Sequence, residues 1–93
     1  MGKGKEGLGM IADIERIKAI KDRYQDELLK KKNVVGLGIG YKEVGGRRTD
    51  QLSLVVMVRK KEPRSQLDPQ DIIPAEIEGV AVDVKEVGEI VAL

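Results

Sequence analysis

The chain is expected to fold as a small α+β domain: one long N-terminal amphipathic helix packed on a small, mostly antiparallel sheet of three to four strands. Three observations lead there. The hydrophobic period switches from spacings of three and four before residue 33 to alternation after it. Glycine and proline punctuate the alternating part at Gly45–Gly46, between Pro63 and Pro74, and at Gly79. The length, 93 residues with 41 % hydrophobic content, suits one domain with a single core.

Residues 1–9 are rich in Gly and Lys and read as a disordered tail. Residues 10–93 read as the single domain. The helix is expected over about 10–32. Ile11, Ile14, Ile17, Ile20, Tyr24 and Leu28 form its apolar stripe, and charged residues fill the rest. Asp13 and Glu15 lie near its start and Lys30–Lys32 near its end, as the helix dipole favours. Asn33 is a C-terminal stop signal.

The first strand is expected over about 33–44. Val35, Leu37, Ile39 and Tyr41 share one face, and Val34, Gly36, Gly38 and Gly40 the other. GGRRTD, 45–50, suits a hairpin turn. The second strand, about 51–60, puts Leu52, Leu54, Val56 and Val58 on one face and Ser53, Val55 and Met57 on the other. Both faces are largely apolar, so a central strand covered on both sides is expected. Within the proline-rich connection, LDPQDIIP suits a short helical turn capped by Asp68, with Pro69 in its first position. The third strand follows Gly79, about 79–87, and EIVAL reads as a last short strand.

Composition excludes several kinds of chemistry. There is no cysteine and no histidine. A thiol nucleophile, a thiolate metal site and the usual neutral-pH base are therefore missing. Ser53 and Ser65 are the only serines, and neither has a histidine base. No catalytic residue, cofactor or metal is expected, and the chain is read as a non-enzyme. Net charge is +1, from 17 basic and 16 acidic residues, too balanced to imply a polyanionic partner. Two Tyr and no Phe or Trp leave few stacking platforms for nucleic-acid bases. The clusters Lys30–Lys32, Arg47–Arg48 and Arg59–Lys61, with Lys60, are the residues that would form a basic patch. No apolar run nears the roughly 18 residues that span a bilayer, and MGKGKEGLGM lacks a signal peptide's apolar core. A soluble cytoplasmic chain is expected.

The alternating glycines, Gly36, Gly38 and Gly40, followed by Tyr41, are the main candidate for packing or interaction. A dinucleotide fingerprint needs a third glycine where Tyr41 stands and a helix where a strand follows. GLGI resembles the carboxylate-binding loop of PDZ domains, which offers backbone N–H groups to a peptide terminus. That reading requires 36–40 to be a loop. The packing reading makes it a strand whose bare face lets the helix approach closely. Gly38→Val is then expected to destabilise by overpacking, by ~1–3 kcal/mol. A smooth face can also receive a neighbouring domain. Asp83 stands inside an apolar strand. Buried and unpaired, its pKa would rise; alternation instead sends Ala81, Asp83 and Lys85 to solvent.

Several segments taken in order carry a resemblance. NVVGLGIGYKEVGG is followed by Thr49–Asp50, then LSLVVMVRKKEP, then LDPQDIIPAEIEGVAVDVKEVGEI. This order is similar to the N-terminal region ahead of the protease-like domain in prokaryotic trypsin-like serine peptidase homologues, from about Asn33 to Ile90. The resemblance implies a non-catalytic accessory domain that packs against a protease-like domain following it, or against itself as a homodimer. No triad residue is carried over.

Overall fold

The computed structural model describes the backbone of residues 3–88 and the side chains of residues 11–88. The expected strand over 89–93 lies outside the described residues, as do the first two residues of the expected tail. Helix α1 runs Lys3–Leu29, so it starts within the stretch read as a tail and stops short of residue 32. Four strands follow: β1, Val34–Val44; β2, Arg47–Val58; β3, Glu76–Ile77; and β4, Val80–Glu86. They form one sheet in the order β1-β2-β4-β3. The β1–β2 and β3–β4 pairs are antiparallel, and β2–β4 is parallel. The architecture is α+β, with the helix on one face of a mixed sheet.

The parallel pair explains the long connection. β4 must enter the sheet in the same direction as β2, so the chain from Arg59 to Gly79 returns the full length of the strand. It does so through two single turns of 3-10 helix, Arg64–Gln66 and Pro69–Asp71. Pro69 opens the second turn as expected, but the Asp68 side chain makes no cap; the backbone closes the turn, Asp71 N–H to Asp68 O at 2.8 Å.

The core lies between α1 and one face of the sheet. Ile17, Ile20 and Leu28 meet Leu54, Val56 and Val58 of β2, with Ile77, Val80 and Val82 from β3 and β4. Leu37 and Ile39 of β1 and Tyr24 of the helix pack against this cluster. A helix of 27 residues is roughly 40 Å long, longer than the strands it crosses are wide as a group. Its N-terminal part therefore overhangs: Ile11 is 61 % exposed and Ile14 38 %, although both continue the stripe.

Register corrects one face assignment. Val34 pairs with Val58 and Gly36 with Met57, two steps on β1 for one on β2. Val35 is the extra residue of a bulge. Val34 thus packs on the core with Leu37 and Ile39, and Val35, expected to share their face, is 42 % exposed.

The turns follow backbone chemistry. Gly45 and Gly46 both have positive φ, 57° and 79°, the pattern of a two-residue hairpin turn that matches strand twist. β2 therefore starts at Arg47 rather than 51. Glu78 and Gly79 repeat the pattern at 49° and 82°, joining β3 to β4. Asn33 ends the helical segment at φ 69°. The three lysines before it lie beyond the last helical turn, and two are engaged there: Lys31 Nζ donates to Gln70 O, and the Lys32 N–H donates to Asp71 Oδ1 at 3.0 Å.

The β3–β4 turn is clamped to the helix. Arg23 Nη1 donates to both carboxylate oxygens of Glu78, at 2.9 and 2.8 Å. The Tyr24 hydroxyl donates to Oε2 at 2.7 Å, and Arg16 donates to the Glu78 carbonyl. The Tyr24 hydrogen bond, then the Arg23 guanidinium, hold the Glu78 carboxyl below the usual carboxylate range. The same hydrogen bond to Glu78 raises the Tyr24 phenol.

Candidate functional site

Strand alternation decides where the glycines point. Gly36, Gly38 and Gly40 pair with Met57, Val55 and Ser53. Direct partners in an antiparallel pair share a face. Leu54, Val56 and Val58 face the helix, so the glycines face away from it. β4 extends the rows, with Asp83 beside Val55 and Lys85 beside Met57. The expectation that the glycines let the helix come close is therefore overturned. The reason is area: the helix buries far more apolar surface against Leu37 and Ile39 than against bare backbone.

The glycine spaces are correspondingly loose. A Cβ on Gly38 would meet only the Met57 methyl, at 3.9 Å, an ordinary contact. On Gly36 it would meet the same mobile methyl at 3.1 Å, and on Gly40 the Val55 Cγ2 at 3.3 Å. Nothing within the fold demands glycine at 38, and the overpacking expected for Gly38→Val has no helix to act against.

Nor, among the described residues, is β2 covered by a second layer on this face. What approaches it is the chain's own hairpin. Between the pairs Tyr41–Leu52 and Glu43–Arg48, three residues of β2 oppose the single Lys42 of β1. Thr49 fixes this irregularity: its hydroxyl donates to Lys42 O at 2.7 Å and accepts the Gln51 N–H at 3.2 Å. Beyond the bend, the Glu43 N–H donates to Asp83 Oδ2 at 3.1 Å, and Lys85 Nζ lies 3.5 Å from Glu43 Oε2. β1 and β4 are not neighbours in the sheet, so the hairpin end must fold over the outer face to make these contacts. Ser53 is consequently 0 % exposed, its hydroxyl donating to Gly40 O at 3.0 Å.

The result is a hollow of about 440 Å³ floored by Gly38, Gly40, Val55 and Met57. Asp83, Lys85, Glu43 and Arg48 rim it. Tyr41 lies at its end with the Arg48 guanidinium 4.4 Å over its ring, a cation–π pair. Its residues 36–40 form a paired strand rather than a loop, so they do not make the cluster of free N–H groups that a carboxylate-binding loop requires. Among the described residues, one side of β1 nevertheless has no strand beside it.

The basic residues do not gather into one uninterrupted patch. Arg48 stacks on Tyr41, and Arg47 begins β2 at the turn. Lys61 lines a second hollow with Glu43, Asp83 and Glu86, and its N–H donates to Glu86 Oε1 at 2.7 Å. Arg59 donates its N–H to Asn33 O, and Lys60 lies beside it, exposed. The Asp83 and Glu86 carboxylates each accept a backbone N–H. Among the described residues no set of three acidic, His or Cys side chains is placed to hold a metal, and no helix is long and apolar enough to cross a membrane.

Sequence reasoning missed β3, which is only two residues long, and the folded-over hairpin end. The signal for the second was present in GGRRTDQ, where polar Thr and Asp interrupt alternation. No protein-family model matches this chain, and no curated protein matches it.

Proposed function

We propose that the chain is a non-catalytic accessory module that docks a folded protein unit on its outer sheet face. By its resemblance to the region ahead of trypsin-like peptidase homologues, that unit is a protease-like domain or a second copy of the chain. The observation that carries this reading is the bare stripe Gly36–Gly38–Gly40. Each glycine in a strand is destabilising by roughly 0.5–1 kcal/mol relative to alanine. Gly38 has room for a side chain inside the fold, so its bareness serves something that approaches from outside. The floor beside it is apolar, and the rim carries both signs of charge, Asp83 and Glu43 against Lys85 and Arg48. A partner gains desolvated contact at the centre and polar contact at the edge. The edge of β1, unpaired among the described residues, adds main-chain groups that a partner strand can pair.

The test is molar mass by light scattering across a concentration series, on the wild type and on Gly38→Lys. Self-association that Gly38→Lys abolishes at unchanged melting temperature supports the second-copy form. A monomer at all concentrations directs the test to the full-length gene product. There, slower hydrogen exchange at 36–40 than in the isolated chain supports the protease-like partner. A monomer whose full-length product leaves these amides unprotected overturns the reading.

A further inference from the structure

A further cavity lies on the helix side of the sheet, beyond the end of α1 and away from the glycine face. It measures about 290 Å³. Its floor is aliphatic: Val58 and Val84 from the sheet, and Leu67, Ile72 and Ile73 from the connection. Its walls come from separate parts of the chain, and hydrogen bonds hold each in place. Asp71 accepts the Lys32 N–H, Arg59 donates to Asn33 O at 2.8 Å, and Lys61 donates to Glu86. The cavity is thus formed in the free protein, which spares a ligand the ordering cost.

Its polar groups are unevenly satisfied. Lys32, Lys60, Lys61 and Arg64 outnumber the two carboxylates, Glu62 and Asp71. Lys32 and Asp71 are partly used, by Glu62 and by the Lys32 N–H. Glu62 differs from the other acids. Its side chain is 18 % exposed, and Oε2 is shut off from solvent. Lys32 Nζ lies 3.2 Å from that oxygen, yet no donor is aligned for a hydrogen bond to it. That oxygen is out of a ligand's reach and is held by the charge of the Lys32 ammonium; the Glu62 carboxylate still lines the cavity, and its other oxygen is the acceptor left for a ligand N–H.

We infer that this cavity binds an aliphatic amino-acid unit with a free carboxylate. The aliphatic side chain lies on the Val58–Leu67–Ile73 floor. An N–H of the ligand donates to Glu62, and its carboxylate meets the cations of the rim, Lys60 and Arg64. The size suits a ligand at the small end of the usual range. A free amino acid and the C-terminal residue of a peptide share this chemistry. The site is independent of the docking face, and either can fail without the other.

The experiment follows backbone amides by NMR while four probes are added in turn: L-leucine, N-acetyl-L-leucine, L-leucinamide and 4-methylpentanoate. L-leucine or N-acetyl-L-leucine is expected to shift amides of residues 58–64 and 71–73 with a Kd of about 1 mM or tighter. Tighter binding of L-leucine identifies a free amino acid; tighter binding of N-acetyl-L-leucine identifies a peptide terminus. Glu62→Gln should weaken the better probe by about tenfold, as for one charge-assisted hydrogen bond. The pair Lys60→Ala and Arg64→Ala should weaken all three carboxylate probes and spare L-leucinamide. Melting curves confirm that the variants fold. The proposal is overturned if no probe shifts these amides, if 4-methylpentanoate binds as tightly as L-leucine, or if Glu62→Gln changes nothing.

Discussion

On the helix side, the sheet places Leu54, Val56 and Val82 out of solvent; one residue further along the same strands, the opposite side presents Val55, Met57 and Asp83. The strands are shared and the difference lies wholly in alternation. The first face pairs large aliphatic groups with a helix, and burial of each such side chain stabilises by about 1.5–3 kcal/mol. The second pairs glycines with Val55 and Met57 and receives only a bent hairpin end. One face thus holds the fold together, and the other, among the described residues, leaves apolar surface and a strand edge available.

The sharpest way to break this contrast is truncation on each face in turn. Leu54 is fully buried at the centre of β2. Leu54→Ala should destabilise by about 2–5 kcal/mol, through lost burial and an unfilled cavity. Met57→Ala, on the outer face, should cost under about 1 kcal/mol. Urea denaturation measures both. Equal losses would mean that the outer face is a second core, leaving the glycine stripe without a docking role.

Much of the helix-side face was legible in the sequence. The three-and-four spacing of Ile17, Ile20, Tyr24 and Leu28 gives the helix, and the alternation of Leu52, Leu54, Val56 and Val58 gives the central strand. Gly45–Gly46 marks the turn between strands. What alternation cannot supply is pairing direction, so the parallel β2–β4 contact was invisible. The bulge at Val35 was hidden because one inserted residue leaves Val34 and Val35 equally apolar to the eye. The side to which the glycines turn was in principle readable. An isoleucine stripe buries more area against Leu37 and Ile39 than against glycine, and that comparison settles the matter. The candidate site was legible as residues but not as a place, because it depends on the Thr49 bend that carries Glu43 to Asp83.

A second contrast concerns the two kinds of glycine. Gly79 has φ 82°, and a Cβ there would sit 2.7 Å from an Arg16 guanidinium nitrogen. Gly79→Ala should destabilise by about 1–3 kcal/mol, from left-handed backbone strain and displacement of Arg16. Thermal denaturation reads the loss. A neutral result would show that the turn is not fixed by the helix.

The clamp beneath that turn makes the helix-side face sensitive to pH. Glu78 has a folded pKa below its unfolded one, so its contribution is present above the unfolded value. It is lost as pH falls through the depressed folded value. Tyr24 behaves oppositely: its raised pKa gives stability that is full below the unfolded phenol value and lost as pH rises through the folded one. The exposed position of Arg23 and Glu78 keeps both effects modest. Glu78→Gln should flatten the acid side of a plot of melting temperature against pH. An unchanged acid limb would assign it to other carboxylates.

The smallest effect has the opposite sign and tests the outer face most directly. Gly38 lies outside the positive-φ positions, and its nearest neighbour to an added Cβ is 3.9 Å away. Alanine fits there without strain and removes backbone freedom from the unfolded chain. Gly38→Ala should therefore stabilise the isolated chain by about 0.4–1 kcal/mol. If the bare face serves a partner, the same methyl should weaken docking, since it stands where the partner comes close. Stability and binding then move apart under one substitution. A partner's indifference to the methyl would leave the glycine unexplained by contact. A loss of stability would mean that the strand needs Gly38 for itself, and the contrast between the two faces would lose its strongest support.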